Sequence, residues 1–460
     1  MRFAGAETPA ETLQRRVLAP LFTTGPQYKW LVFFLAAVVA WGVYAYIVQI
    51  TYGLLVTGMR DVVMWGLYLV NFVFFIGISH AGTLISGILR VTHAGWRTPV
   101  TRMAELITVV AISIGALMPI IDLGRPDRVW HMIWFGRLQS PLLWDIVSIT
   151  SYLTGSLIYL YLPTIPDMAY MRDRLANAAS SFRYKFYAFL AVGWRNTADQ
   201  RRRLDKAIGI MALTIIPVAI SVHTVVSFVF SMTLRPGWDS TVFGIYFVIG
   251  AIFSGIATIL IVMAIFRKLY HFEDLITEKH FRYLSYLLLT TLLLYIYLTV
   301  CEYLTVVYKL QGETPVLLNT LWTGSNAAWF WLFAVAGLVI PGILIVVRRG
   351  PLIPRVVTAA ILVNIGMWLK RFVIIVPSLE VPLMPFEFGA YTPTWVEWSI
   401  MLAAFAAFVL IFTLAAKVVP LISIWEVAEE QEKERAEHAP ASEAKQQPAV
   451  PPSPLTRRQM

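Results

Sequence analysis

The sequence predicts an all-α integral membrane protein with ten transmembrane helices, and three observations carry that expectation. Of its 460 residues, 58% are hydrophobic and only 14% charged. A water-soluble domain carries roughly 25% charged residues, so the surplus apolar surface has to face lipid. Ten separate apolar runs are each long enough to cross ~30 Å of hydrocarbon as a helix. They are too long for barrel strands, which need only about ten alternating residues.

Residues 1–29 are polar, carry Arg15 and Arg16, and form an N-terminal segment. No small-residue cleavage site follows the first apolar run, so no removed signal peptide is expected. The runs fall at 30–50, 62–89, 103–121, 142–162, 206–232, 241–266, 282–308, 322–347, 353–377 and 395–421, within a membrane domain spanning 30–425. Between the third and fourth lies a polar hinge, residues 118–145, MPIIDLGRPDRVWHMIWFGRLQSPLLWD. Gly124 and Pro126 end the third helix after Pro119–Asp122, and the fourth starts after Pro141 with Asp145 about one turn inside. A long connection, Pro163 to Asp205, is rich in arginine (Arg172, Arg174, Arg183, Arg195, Arg201, Arg202, Arg203). Residues 426–460 are charged at first and then rich in Pro, Ala and Gln; they cannot bury a core and are expected to be a disordered tail.

Basic residues orient the spans. Of 37 Lys and Arg, 29 fall on the N-terminus, the even-numbered loops and the C-terminus, against 8 on the other side. Both termini and the Arg-rich connection are therefore expected in the cytoplasm, and the hinge on the periplasmic side. There Arg125, Arg128 and Arg137 go against the rule, which calls for internal carboxylates or a docked protein as partner. The net charge of +10 is spread over loops rather than gathered in an aromatic-lined groove, so nucleic acid is not expected as a partner. The single cysteine, Cys301, excludes internal disulfides, cysteine-ligated clusters and a CxxCH haem attachment, and it reads as core packing. With no P-loop, dinucleotide fingerprint or nucleophile elbow, any chemistry belongs inside the membrane part or on a partner.

Ionisable residues inside a bilayer are costly and point to function. His80 lies about 18 residues into a helix entering from outside, hence in the inner half; it is either a packing histidine among Gly77, Gly82 and Gly87 or part of a proton path. His223 lies ~14 Å from the outer end of its helix, with Ser221, Thr224 and Ser227 as a polar lining. Different depths would keep the two histidines from gripping one haem, and His93, His131, His271, His280 and His438 belong to loops or the tail. Glu302 falls in the outer half of the seventh helix, and Lys370 and Arg371 near the outer end of the ninth. Snorkelling accounts for Lys370 and an ion pair for Glu302 with Arg371. Alternatively these groups line one outer-half cavity with Asp122, Asp145 and His223, where carboxylates and a histidine take protons from a hydroxylated ring and an arginine holds its oxygen. Glu105 reads as an interfacial charge.

GISHAGTLISGIL at 77–89, DLGRPDR at 122–128, SPLLWD at 140–145, SVHTVVSF at 221–228 and GWDSTVFGIYFVIGAIFSG at 237–255 together resemble the NrfD/polysulfide reductase membrane-subunit family. More narrowly the chain is similar, over most of residues 25–425, to the large ten-helix subunits of bacterial alternative complex III. The resemblance implies two four-helix bundles with flanking helices and no metal or haem held by the chain. It also implies a quinol pocket near the periplasmic face. Partners would be a periplasmic iron-sulfur protein, a homologous NrfD-like subunit, cytochrome c subunits and lipid of the bacterial inner membrane. It places Asp122, Asp145 and His223 in the quinol-side, proton-accepting set, with Arg371 a further match; beside these, Arg125 is a candidate quinol-binding residue, and His80 and Glu302 are the intramembrane candidates for a proton path. Two positions depart from the alternative complex III pattern: Asp122 stands for a histidine before LGRP, and Val229 for an aspartate.

The expected function is thus a subunit that oxidises (mena)quinol and passes electrons to a docked iron-sulfur protein, releasing protons. The alternative is the paralogous proton-conducting or scaffold subunit, with a polar chain from His80 toward Glu302 and His223. A secondary transporter would need matched broken helices in two halves, and no matched pair of short segments occurs.

Overall fold

In hydrocarbon every backbone polar group has to be satisfied within the chain, and all ten runs do this as helices. The computed structural model describes residue 21 and residues 24–175, 181–384 and 387–427. The expected N-terminal segment as far as residue 20, and the tail from 428 on, lie outside the described residues. The spans are α1 (Pro26–Tyr52), α2 (Leu67–Val91), α3 (Thr98–Asp122), α4 (Pro141–Arg174), α6 (Ala198–Ser231), α7 (Phe243–Leu269), α8 (Glu278–Lys309), α10 (Ala327–Val346), α11 (Leu352–Glu380) and α12 (Trp395–Ala415). Two short helices lie in connections, α5 (Phe182–Leu190) and α9 (Thr314–Trp322). No strand occurs among the described residues.

The helices form two bundles. One holds α2, α3, α4 and α6, the other α7, α8, α10 and α11, and α2 packs on both α7 and α11 to join them. Helices α1 and α12 pair on the flank, with α12 against α2 and α3. Small residues allow the close approaches that packing in lipid relies on. A Cβ on Gly255 of α7 would collide with Ala81 of α2, and one on Gly366 of α11 with the backbone of Gly337 in α10. Gly337 sits in a π-helical stretch, Phe333–Val339. With lipid-facing helices around it, α2 has 94% of its apolar window buried.

One end of the molecule carries the hinge and the other the Arg-rich connection. Gly124 turns the chain out of α3 with φ of +66°, a conformation costly for residues with a Cβ. Pro141 then opens α4. Among the limits that differ from the sequence expectation, three are fixed by a cap or a tertiary bond. Helix α4 runs on to Arg174 through Pro163 and Pro166, although proline ordinarily ends a helix. The Pro163 carbonyl is held by Arg102 Nη2 at 2.9 Å and Trp425 Nε1 at 3.0 Å, which ties the overhang to the bundle. Helix α6 begins at Ala198, where Thr197 and Gln200 form a capping box. Glu426, placed in the tail, is instead buried and pairs with Arg90 at 2.5 Å.

Candidate functional site

Three buried polar groups stand out, and they are separate. The first lies at the hinge end of the first bundle. Asp122 closes α3 and Asp145 sits in the opening turns of α4, two helices that pack together. Each carboxylate has a buried Oδ1 without a hydrogen-bond partner. Around Asp122 the chain gathers polar groups that the sequence reading passed over. Gln49 Nε2 donates to the Ile121 carbonyl at 2.8 Å, and the Tyr68 hydroxyl donates to Gln49 Oε1 at 2.5 Å. Glu397, fully buried at the start of α12, is the acid that acts on Asp122. Glu397 itself is well held: it accepts from Gly58 N at 2.6 Å, from Thr394 N at 2.9 Å and from the Tyr391 hydroxyl. The signal for it was present, since Thr394-x-x-Glu397 is a capping box.

The hinge between the two carboxylates is a 3-10 turn at Pro126–Arg128 and one helical turn at His131–Trp134. Arg125 does not reach inward. Its guanidinium makes a two-pronged contact with Asp127 at 2.9 and 3.0 Å on the exposed surface. That bond holds the Asp127 carboxyl below the usual range and raises Arg125. Of the two partners considered for the hinge arginines, Arg125 thus has an internal carboxylate. Trp130, Trp134, Phe135 and Leu138 are exposed on the same hinge.

The second group lies deeper. His80 of α2 and His223 of α6 are both fully buried with ring centroids 4.4 Å apart. The expectation of different depths is therefore corrected. Helix α2 begins at Leu67 rather than at residue 62, which moves His80 to the middle of its span. The rings touch, so a haem does not fit between them: an iron flanked by two imidazoles holds their centroids about 6 Å apart, given metal–nitrogen bonds of ~2 Å. Both nitrogens of His80 face carbonyls, Ile76 at 3.0 Å and Ala219, whereas neither nitrogen of His223 has a partner.

From His80 a polar column continues toward the Arg-rich end. The Tyr152 ring lies 5.0 Å from that of His80, and its hydroxyl donates to Thr83 Oγ1 at 3.0 Å and the Ser79 carbonyl at 2.9 Å. Thr83 donates to Thr108 at 3.0 Å. One turn on, Ser86 donates to Glu105 at 2.6 Å and meets the Tyr159 hydroxyl at 3.1 Å. At the end stand two ion pairs, Arg102–Asp167 at 3.1 Å and Arg90–Glu426. Glu105 is thus not an interfacial charge; it is buried between helices with a serine donor.

The third group belongs to the second bundle. Lys370 does not snorkel: it is 2% exposed, its ammonium lies 4.9–5.3 Å from the ring centres of Tyr246, Tyr303 and Phe333, and it donates to the Tyr303 hydroxyl at 3.1 Å. Glu302 acts on Lys370 and lines the same 30 Å³ cavity. Among the described residues no ion pair joins Glu302 to Arg371. Arg371 Nη1 instead donates to the Met367 carbonyl at 2.9 Å, with its guanidinium against Gly77 in the seam between the bundles. The two small cavities beside Lys370 and Arg371 touch none of Asp122, Asp145 and His223, so the expected single cavity resolves into distinct sites. Glu302 likewise stands apart from His80. Among the described residues, no three His, Cys, Asp or Glu side chains converge as metal ligands.

Two adjoining helix bundles, with carboxylate oxygens buried at one end and a histidine pair at mid-depth, make this a multi-pass membrane protein with polar groups set inside its helices. Residues 55–382 match the family described as Polysulphide reductase, NrfD, and the chain belongs to it. It is 27% identical to a menaquinone reductase integral membrane subunit of Nitratidesulfovibrio vulgaris, over 80% of this chain and 86% of that one. It is 25% identical to an Hdr-like menaquinol oxidoreductase integral membrane subunit of Archaeoglobus fulgidus, over 88% and 97%. It is 30% identical to a Halobacterium salinarum protein named as a dimethyl sulfoxide reductase membrane subunit, over 55% of this chain and 54% of that one, so it spans about half the length of this last relative.

Proposed function

We propose that this chain is the subunit at which a multisubunit oxidoreductase meets the quinone pool, and that it oxidises (mena)quinol at the hinge end. The observation that carries the reading is the pair of buried, unpartnered carboxylate oxygens of Asp122 and Asp145 on packed helix ends. Leaving such an oxygen without a donor costs ~1–3 kcal/mol, so a ligand bringing hydroxyl donors on an apolar ring gains what the fold lacks. A hydroquinone is such a ligand. Each carboxylate takes one of its protons as the ring gives up two electrons and becomes a quinone, and the electrons leave to an iron-sulfur protein seated on the hinge. His223, whose two ring nitrogens have no partner, is the inner hydrogen-bonding group for the ring rather than a third proton acceptor, and Arg371 borders the ring from the seam between the bundles. With the hinge outward, as the basic residues orient it, the protons go to the periplasm. The names of two relatives, a menaquinone reductase and a menaquinol oxidoreductase subunit, favour this substrate class. Cytochrome c subunits and a second NrfD-like chain are the expected neighbours.

A second reading, a proton-conducting subunit without quinol, draws on the polar column from His223 to Glu426. One experiment separates the two. In the assembled complex, Asp145→Asn should lower quinol oxidation about 100-fold if it removes a proton acceptor. Unchanged turnover, with proton uptake altered instead, overturns the first reading in favour of the second.

A further inference from the structure

Helix α5, nine residues in the connection between α4 and α6, faces the wrong way for a helix in water. Ser181 caps it by accepting from Tyr184 N at 3.2 Å. At helical spacing Phe182, Phe186 and Phe189 share one face with Lys185 at its edge, and Tyr184 and Tyr187 take the other. Tyr187 is turned in at 3% exposed and Phe182 and Phe189 out at 82% and 80%, while Phe186 between them is half-buried and packs against the core.

Two hydrogen bonds fix its depth. The Tyr161 hydroxyl donates to the Leu190 carbonyl at 2.7 Å, and the Tyr187 hydroxyl donates to the Val418 carbonyl at 3.3 Å. Tyr161 lies where the apolar part of α4 gives way to its polar overhang, and Val418 just past the end of α12 at Ala415. Rising 1.5 Å per residue, the overhang from Tyr161 to Arg174 covers ~20 Å, and the chain folds back over that distance. Helix α5 therefore sits at the level where two spans leave hydrocarbon.

The charge around it is mainly positive. Residues 172–206 hold nine Lys and Arg against three Asp. A 490 Å³ cavity in the same connection is lined by Trp194, Arg195, Asn196 and Arg201, together with Asp167, Asp173 and Asp205. Asp167 and Asp173 are already paired, with Arg102 at 3.1 Å and Arg172 at 2.8 Å, so toward a guest Arg195 and Arg201 outnumber the one further carboxylate of the lining, Asp205.

We propose that α5 is an interfacial helix that lies on the leaflet at the Arg-rich end and seats an anionic phospholipid. Phe182 and Phe189 enter the boundary between headgroups and acyl chains, and Arg183, Lys185 and Arg195 hold the phosphate. The inference stands on depth and charge and does not depend on the quinol reading.

The test uses the full chain in nanodiscs of phosphatidylcholine with or without phosphatidylglycerol. With Cys301→Ser as background, Phe189→Cys carries an environment-sensitive fluorophore, and lipids carry a quencher high or low on the chain. Strongest quenching by the high position is expected, in the assembled complex as well. Native mass spectrometry of the otherwise unchanged chain should show phosphatidylglycerol retained in preference to phosphatidylcholine. Arg183→Gln, Lys185→Gln and Arg195→Gln should each weaken that preference about fivefold. The proposal is overturned by a label in water, by a label shielded from water and lipid alike because a protein covers it, or by a preference that survives all three substitutions.

Discussion

At the hinge end the chain supplies the hydrogen bonds of Glu397 and leaves Asp122 Oδ1 without one. That contrast, rather than burial alone, separates a structural acid from one awaiting a ligand. The same test applies to Lys370 and Glu302. Lys370 has three rings and a tyrosine hydroxyl, whereas Glu302 Oε2 is buried without a partner. Removing one member of a buried charge pair strands the other at a cost of about 3–5 kcal/mol, while removing both is often neutral. Lys370→Met or Glu302→Gln alone should therefore lower the thermal stability of the detergent-solubilised chain, and the double variant should recover most of the loss. Additive losses in that cycle would mean the two do not act as a pair. At this scale the sequence was a partial guide. It flagged Asp122, Glu302 and Lys370 as out of place in lipid and passed over Glu397. It could not say that Lys370 turns into an aromatic cage rather than out to the headgroups, because Tyr246, Tyr303 and Phe333 come from three different helices.

Element ends were legible where a breaker agreed with its surroundings, as at Gly124 and Pro141, and illegible where tertiary bonds overrode it, as at Pro163. The distance of His80 from its helix end was misjudged for a related reason: the apolar run begins before the helix does. Between elements, one tight fit is Gly337 of α10, inside the π-helical stretch, against the backbone of Gly366 in α11. Such turns are often kept at functional sites, and this one carries Phe333, a wall of the Lys370 cage. Gly366→Leu should force the two helices apart and open that cage. The expected outcome is a chain that inserts but is cleaved readily by added protease, with a yield of folded material several-fold lower. Unaltered protease resistance would mean the seam tolerates a side chain.

For the whole molecule, the span count was readable because lipid demands long apolar runs, and the bundle pairing was not, since no run announces its neighbour. Orientation rests on the basic residues and has a direct check. In the Cys301→Ser background, Gln139→Cys in the hinge should react with a membrane-impermeant maleimide applied from the periplasmic side. Reaction only after the membrane is broken would reverse the molecule and, with it, the side on which protons are released.

The near-complete burial of α2 also bears on how the protein is made. This second span to leave the ribosome has no side intended for lipid, yet its covering helices include α7 and α11, the last of which ends at Glu380. Its His80 and Asn71 must wait beside the insertion machinery, or beside α1, while some 290 further residues are synthesised at roughly 5–20 residues per second. A chain stalled before α11 leaves those polar groups facing acyl tails. Membrane quality control would then see an unfinished copy through α2, the helix that is hidden in the finished one.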